Sequence, residues 1–142
     1  MRVEEITEFG TDVFEALRIL LPQLSKNAAL PSPDLTQRII ESDATRLLFA
    51  RQDEQILGML TIVIFPIPTG IRAWIEDVVV DESGRGMGVG EALSEHALKL
   101  ARLEGAKTVD LTSRPTREAA NRLYQRIGFA LRDTNVYRFE ID

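Results

Sequence analysis

The stretch of this chain best equipped for chemistry is 81–90, Asp81-Glu82-Ser83-Gly84-Arg85-Gly86-Met87-Gly88-Val89-Gly90. Its glycines let a backbone approach a ligand closely, and the helical pattern that follows brings unpaired N–H groups and a partial positive charge to the same place. Such a turn suits a phosphate or pyrophosphate. It is not a Walker loop, since Gly-Lys-Ser/Thr is missing. Nor is it a dinucleotide fingerprint, since Glu91 stands where the third glycine is needed. Immediately upstream, Glu76 and Asp77 put two adjacent carboxylates in an extended run, where they can serve as a proton acceptor or as a polar strand end.

What is absent narrows the chemistry further. There is no cysteine, which excludes disulfides, thiolate catalysis and cysteine-ligated zinc. The one histidine, His96, falls in phase with Val89, Leu93, Leu100 and Leu103, a packing position, and a multi-histidine metal site cannot be built. With 22 acids against 17 bases, the charge of -5 argues against a general nucleic-acid binder. The longest nearly apolar stretch, 56–67, is broken by Gly58, Thr61 and Pro66 and is too short to span a bilayer. Glu4 and Glu5 stand where a secretory leader would be basic and then apolar, so a cytoplasmic location is expected.

Arg85, Gly88 and Gly90 fit an Arg-x-x-Gly-x-Gly pattern. Downstream, Ala120-Asn121-Arg122-Leu123-Tyr124-Gln125-Arg126-Ile127-Gly128-Phe129 fits Asn-x-x-Tyr-x-x-x-Gly-Phe. Two such motifs in this order resemble the GCN5-related N-acetyltransferase (GNAT) superfamily, over roughly residues 47–139. The resemblance implies that the glycine loop cradles the pyrophosphate of coenzyme A. Arg85, Gly86, Met87, Gly88, Val89 and Gly90 would then bind acetyl-CoA, with Val78, Val79 and Val80 on the preceding strand and Asn121, Tyr124 and Arg126 on the later helix. It implies acetyl-CoA as cosubstrate, no metal, and transfer of an acetyl group to the primary amine of a small molecule by direct attack in a ternary complex. The alternatives are a protein or peptide N-acetyltransferase and a non-catalytic acyl-CoA-binding module.

An amine with a pKa of roughly 10 is protonated at neutral pH and must lose a proton before it attacks a thioester. Glu76 is the preferred base, sharing its strand face with Val78 and Val80; both carboxylates reach the site only if a bulge turns them together. The resemblance makes Tyr124 the general acid for the departing thiolate, puts Asn121 one turn earlier beside the pantetheine arm, and gives backbone N–H groups at 78–80 an oxyanion-hole role.

These residues need elements to hold them. Apolar spacing over 12–21 predicts a helix ending at Pro22, and Ser32 or Asp34 can cap a second that carries Leu35, Ile39 and Ile40. Residues 46–50 and 56–65 around Asp53-Glu54 read as a hairpin, 71–80 as a third strand, 89–104 as an amphipathic helix stopped by Gly105, 108–112 as a strand and 116–127 as a helix stopped by Gly128. Residues 129–131 and 136–141 read as final strands around Asp133-Thr134-Asn135. The expected fold is α/β (α+β), one N-acetyltransferase domain over 1–142. A mixed, mostly antiparallel sheet of about six to seven strands is flanked by about four helices, with acceptor-site helices at about 11–43 and an acetyl-CoA-binding core at about 46–140. The resemblance also allows a homodimer through sheet edges or the final strands, which the residues alone do not decide.

Overall fold

Alternation of apolar and polar residues from residue 45 onward builds a long antiparallel meander. β2 (Thr45–Gln52) turns at Asp53, which takes φ 55°, into β3 (Gln55–Ile67), and β3 returns as β4 (Gly70–Val80). The computed structural model describes residues 1–142, in two compact units, Met1–Thr112 and Ser113–Asp142.

In the first unit the sheet has five strands in the order β1-β2-β3-β4-β5. β1 (Arg2–Glu5) pairs antiparallel with β2, and β5 (Thr108–Asp110) lies parallel to β4. β1 has no strand signal in its charged sequence. It is held from outside, because Arg51 on β2 reaches both Glu4 on β1 and, at 2.8 Å, Asp12 at the start of α1 (Thr11–Leu24). Charged residues on an edge strand also discourage pairing with foreign chains.

Each face of the sheet is covered by a helix. Phe49, Leu47, Met59 and Val79 meet Val13, Ala16, Leu17 and Leu20 of α1. Leu48, Leu60, Ile62 and Ile75 lie on the opposite face, the side of α3 (Val89–Leu103), whose Val89, Leu93 and Ala97 are buried. α1 runs past Pro22 to Leu24 instead of ending at the proline; so close to the helix end, the missing N–H costs a single helical hydrogen bond. α2 (Pro33–Glu41) is capped by Ser32, whose Oγ accepts the Leu35 N–H at 3.1 Å, and proline takes the first position, where no donor is needed.

Gly58 fixes how closely α3 can lie on the sheet. A Cβ there would come 2.8 Å from the Val79 carbonyl oxygen and 2.9 Å from Val89 Cγ1.

The second unit holds α4 (Glu118–Ile127), ended by Gly128 in the left-handed region. The sheet therefore has five strands, not six to seven, while the helix count of four is as expected. The final strands expected at 129–131 and 136–141 are not formed. Their residues have β propensity, but a strand exists only when a neighbour takes its backbone groups, and the last backbone bond in this region is Phe129 N–H to Tyr124 O at 2.9 Å. No helix is long and apolar enough to cross a membrane.

Candidate active site

β4 stops being a regular strand where its carboxylates begin. Thr61 pairs with Glu76 and Met59 with Val79, so Asp77 and Val78 stand opposite Leu60 alone, a β-bulge with Asp77 at φ 52°. A non-glycine residue in the left-handed region is uncommon, and aspartate is among the side chains that enter it at least cost.

The bulge breaks the alternation on which the preference for Glu76 rested. Register now puts Glu76 on the face of Val79 and Trp74 rather than with Val78 and Val80. Both carboxylates come to the surface. Glu76 Oε1 accepts the Trp74 indole N–H at 2.8 Å. Loss of hydration pushes the Asp77 carboxyl up from its ordinary value, and the neighbouring Glu76 charge adds to the shift.

The same stretch of β4 has an open edge. Pairing with β5 covers only Arg72, Ala73 and Trp74, so from Ile75 to Val80 the side away from β3 has no ladder from β5. Backbone groups of Val78, Val79 and Val80 are thus near an open edge, as an oxyanion role requires.

After Val80 the chain enters the glycine loop under firm control. Asp81 accepts hydrogen bonds from Gln23 Nε2 at 2.7 Å, from the Ser83 N–H at 3.1 Å and from the Ser83 hydroxyl, while Gln55 Nε2 reaches Ser83 Oγ at 3.0 Å. These partners, with Ser83 first, hold the Asp81 carboxyl below its usual range. A short 3-10 turn, Glu82–Gly84, then leads into exposed Arg85, Gly86, Met87 and Gly88.

Gly86 and Gly88 take φ 80° and 78°, and Gly88 caps α3. The N–H groups of Gly86, Gly88, Val89 and Gly90 bond to no backbone carbonyl. A Cβ built on Gly86 or Gly88 would meet nothing within 4 Å. The bare backbone therefore faces open space, with donors directed into the start of a helix dipole. That geometry fits a pyrophosphate.

On α4, Tyr124 is buried, and its ring packs edge-on against Phe129 at 5.7 Å between centroids. Burial pushes its phenol above the ordinary value, against a smaller opposing pull from Arg117. The amide N–H groups of Asn121 donate to the carbonyls of Arg114 and Arg117 at 2.9 and 2.8 Å, bracing the turn that begins α4. Arg126 is exposed on the same helix. His96 is half-buried on α3, as a packing residue would be.

Sequence reasoning passed over Gln23 and Ser83, which brace the loop and carry no local signal. It also passed over Gly58, whose signal was a lone glycine inside an apolar strand. No group of three or more acidic or histidine side chains is placed to hold a metal.

An open-edged strand with a bulge thus leads through a glycine turn into a helix start whose exposed backbone donors suit an anionic group. The acetyltransferase (GNAT) family model matches residues 13–129, and the chain belongs to that family; it is an acyltransferase. Its fold is similar to that of a putative acetyltransferase from Agrobacterium tumefaciens str. C58, with TM-score 0.86 and 20% identity over 99% of this chain and 100% of that one. An aminoglycoside acetyltransferase from an uncultured soil metagenomic sample, in complex with trehalose, superposes with TM-score 0.85 and 19% identity, covering 99% and 95%. The glucosamine-6-phosphate N-acetyltransferase of Arabidopsis thaliana superposes with TM-score 0.79 and 18% identity, covering 98% and 99%. No curated protein matches the chain by sequence.

Proposed function

We propose that residues 1–142 act as one acetyl-CoA-dependent N-acetyltransferase domain whose acceptor is the primary amine of a small molecule. The observation that carries this reading is the glycine loop: free N–H groups at Gly86, Gly88, Val89 and Gly90 beside space that a side chain would fill. The loop would hold the pyrophosphate, with exposed Arg85 and Met87 beside it and Arg126 a further cation for the phosphates. When bound, acetyl-CoA supplies an acetyl thioester.

Backbone N–H groups along the open edge at 78–80 would polarise the acyl carbonyl. The carboxylates at the bulge would take the ammonium proton of the acceptor. Asp77 suits the role of base because desolvation raises its proton affinity, while Glu76 gives one oxygen to Trp74 and is suited to orienting the acceptor. Tyr124, kept protonated by burial throughout the neutral range, would donate its phenolic proton to the leaving thiolate. The two carboxylates suit a cationic acceptor, and the aminoglycoside acetyltransferase that shares this fold supports a small one.

Calorimetric titration with acetyl-CoA, repeated on Gly88→Glu, tests the cofactor site. Binding to the native chain and at least ~100-fold weaker binding to the variant is expected, since the new carboxylate fills the anion position. Thiol release across a panel of free amines and peptides then tests the acceptor class. Absence of binding to the native chain would make the loop a structural cap and remove the reading.

A further inference from the structure

The carboxylate at the head of the glycine loop spends both of its oxygens on its own chain. Asp81 Oδ1 accepts Gln23 Nε2 at 2.7 Å, and Asp81 Oδ2 accepts the Ser83 N–H at 3.1 Å and the Ser83 hydroxyl. The Ser83 bonds stay inside the loop's own 3-10 turn, Glu82–Gly84. Gln23 does not belong to the loop: it lies 58 residues away in sequence, in the last turn of α1.

Gln23 also secures the end of its own helix, since Nε2 donates a second bond to Ile19 O at 3.2 Å. That turn is weak by itself. Pro22 brings it no N–H, and no basic side chain stands there to meet the last carbonyls. Beyond it the chain leaves α1 at Ser25 in extended form. The next residues make one local turn, Ala28 N–H to Ser25 O at 3.1 Å and Asn27 N–H to Ser25 Oγ at 3.4 Å, before the Ser32 cap of α2. One side chain therefore anchors the near end of segment 24–31 on the glycine loop.

We propose, resting on the acetyl-CoA reading of the glycine loop, that Asp81 and Gln23 are positioning residues that couple the donor loop to segment 24–31, which joins the two helices expected to shape the acceptor site. A ligand on the loop steadies the 3-10 turn, the turn steadies the Asp81 carboxylate, and the carboxylate holds the end of α1. The two-state element is that last turn, docked on Asp81 or frayed. The entropy of ordering segment 24–31 is then spent when the donor binds, so an acceptor arriving second meets a wall already set. By linkage the acceptor tightens the donor by the same factor.

Hydrogen–deuterium exchange of the full chain, with and without saturating coenzyme A, reads the coupling without any acceptor. Amides 24–30 of the native chain should exchange about 10-fold more slowly with coenzyme A bound, the effect of one hydrogen bond to a carboxylate. Gln23→Glu sets two carboxylates against each other. Calorimetry should still find coenzyme A binding to this variant, yet the slowing at 24–30 should vanish. Adding Asp81→Asn should bring it back, because the asparagine oxygen takes the Ser83 N–H while its amide donates to the new carboxylate at position 23. A contact that only braces the fold would slow exchange equally in the free and bound protein. Coenzyme A binding without slowing in the native chain overturns the proposal. So does slowing that survives Gln23→Glu, or that fails to return in the double variant. Absence of coenzyme A binding to the native chain is a different result, which removes the acetyl-CoA reading and the coupling with it.

Discussion

At the scale of single residues, Asp77 and Tyr124 show opposite uses of the same force. Lost hydration raises the pKa of both, which makes the carboxylate a better proton acceptor and keeps the phenol a proton donor. For Asp77 the folded state then binds a proton more tightly than the unfolded chain, so its contribution to stability falls as pH rises through the raised pKa. Asp77→Asn removes that penalty, and asparagine tolerates the left-handed backbone at φ 52° as well as aspartate does. The melting temperature of Asp77→Asn at neutral pH should be unchanged or about 1 °C higher. Its turnover should drop about 100-fold or more, with acetyl-CoA affinity intact. In the native enzyme the rate should fall as pH drops through a pKa above the ordinary aspartate range, and that limb should vanish in the variant. A variant with full activity and an unchanged acid limb would return the base to Glu76 or to water. Tyr124→Phe keeps the edge-on contact with Phe129. Stability and acetyl-CoA binding should hold while turnover falls by about 100-fold, measured by thiol release; full turnover would end the acid assignment.

At the scale of elements, the position of the glycine loop depends on a glycine far from it in sequence. Gly58 lets Val89 and Leu93, the first buried turn of α3, sit against β3 with no room for a methyl group. Gly58→Ala should cost about 1–3 kcal/mol, because the nearest obstacle is a backbone carbonyl that cannot rotate away. Since α3 starts at the loop, the displaced helix should also weaken acetyl-CoA binding. Thermal melts and calorimetry of the same variant check both effects, and a stable variant with native affinity would show that α3 shifts freely. How legible an element was depended on whether its cause was local. Helical spacing gave α1, α3 and α4, Ser32-Pro33 gave the start of α2, and Asp53-Glu54 gave the hairpin. The Arg-x-x-Gly-x-Gly loop was legible because its φ angles and exposed donors belong to its own glycines. β1 was not, since its charged residues become a strand only beside Arg51 on β2. The bulge at Asp77 arises from register with β3, a pairing no local pattern encodes, and it changes which face Glu76 shares. The last strands were read from propensity, and propensity does not supply a neighbour.

At the scale of the whole molecule, the chain divides its parts between two compact units, Met1–Thr112 and Ser113–Asp142. Every partner in the five-stranded ladder lies within the first, and so do the bulge and the glycine loop. A stretch of chain that satisfies its backbone groups and buries its own core can fold without the rest. A chain ended after Thr112 should therefore keep its sheet and helix signal in far-ultraviolet dichroism. Because α3 still begins at Gly88, the shortened chain should also bind acetyl-CoA, while thiol release, which the role proposed for Tyr124 requires, should be lost. Dichroism, calorimetric titration and thiol release on the same shortened chain check the three expectations. A shortened chain that is unfolded would mean that the first unit depends on the second for its stability, and one that still turns over would take the proton donor away from Tyr124.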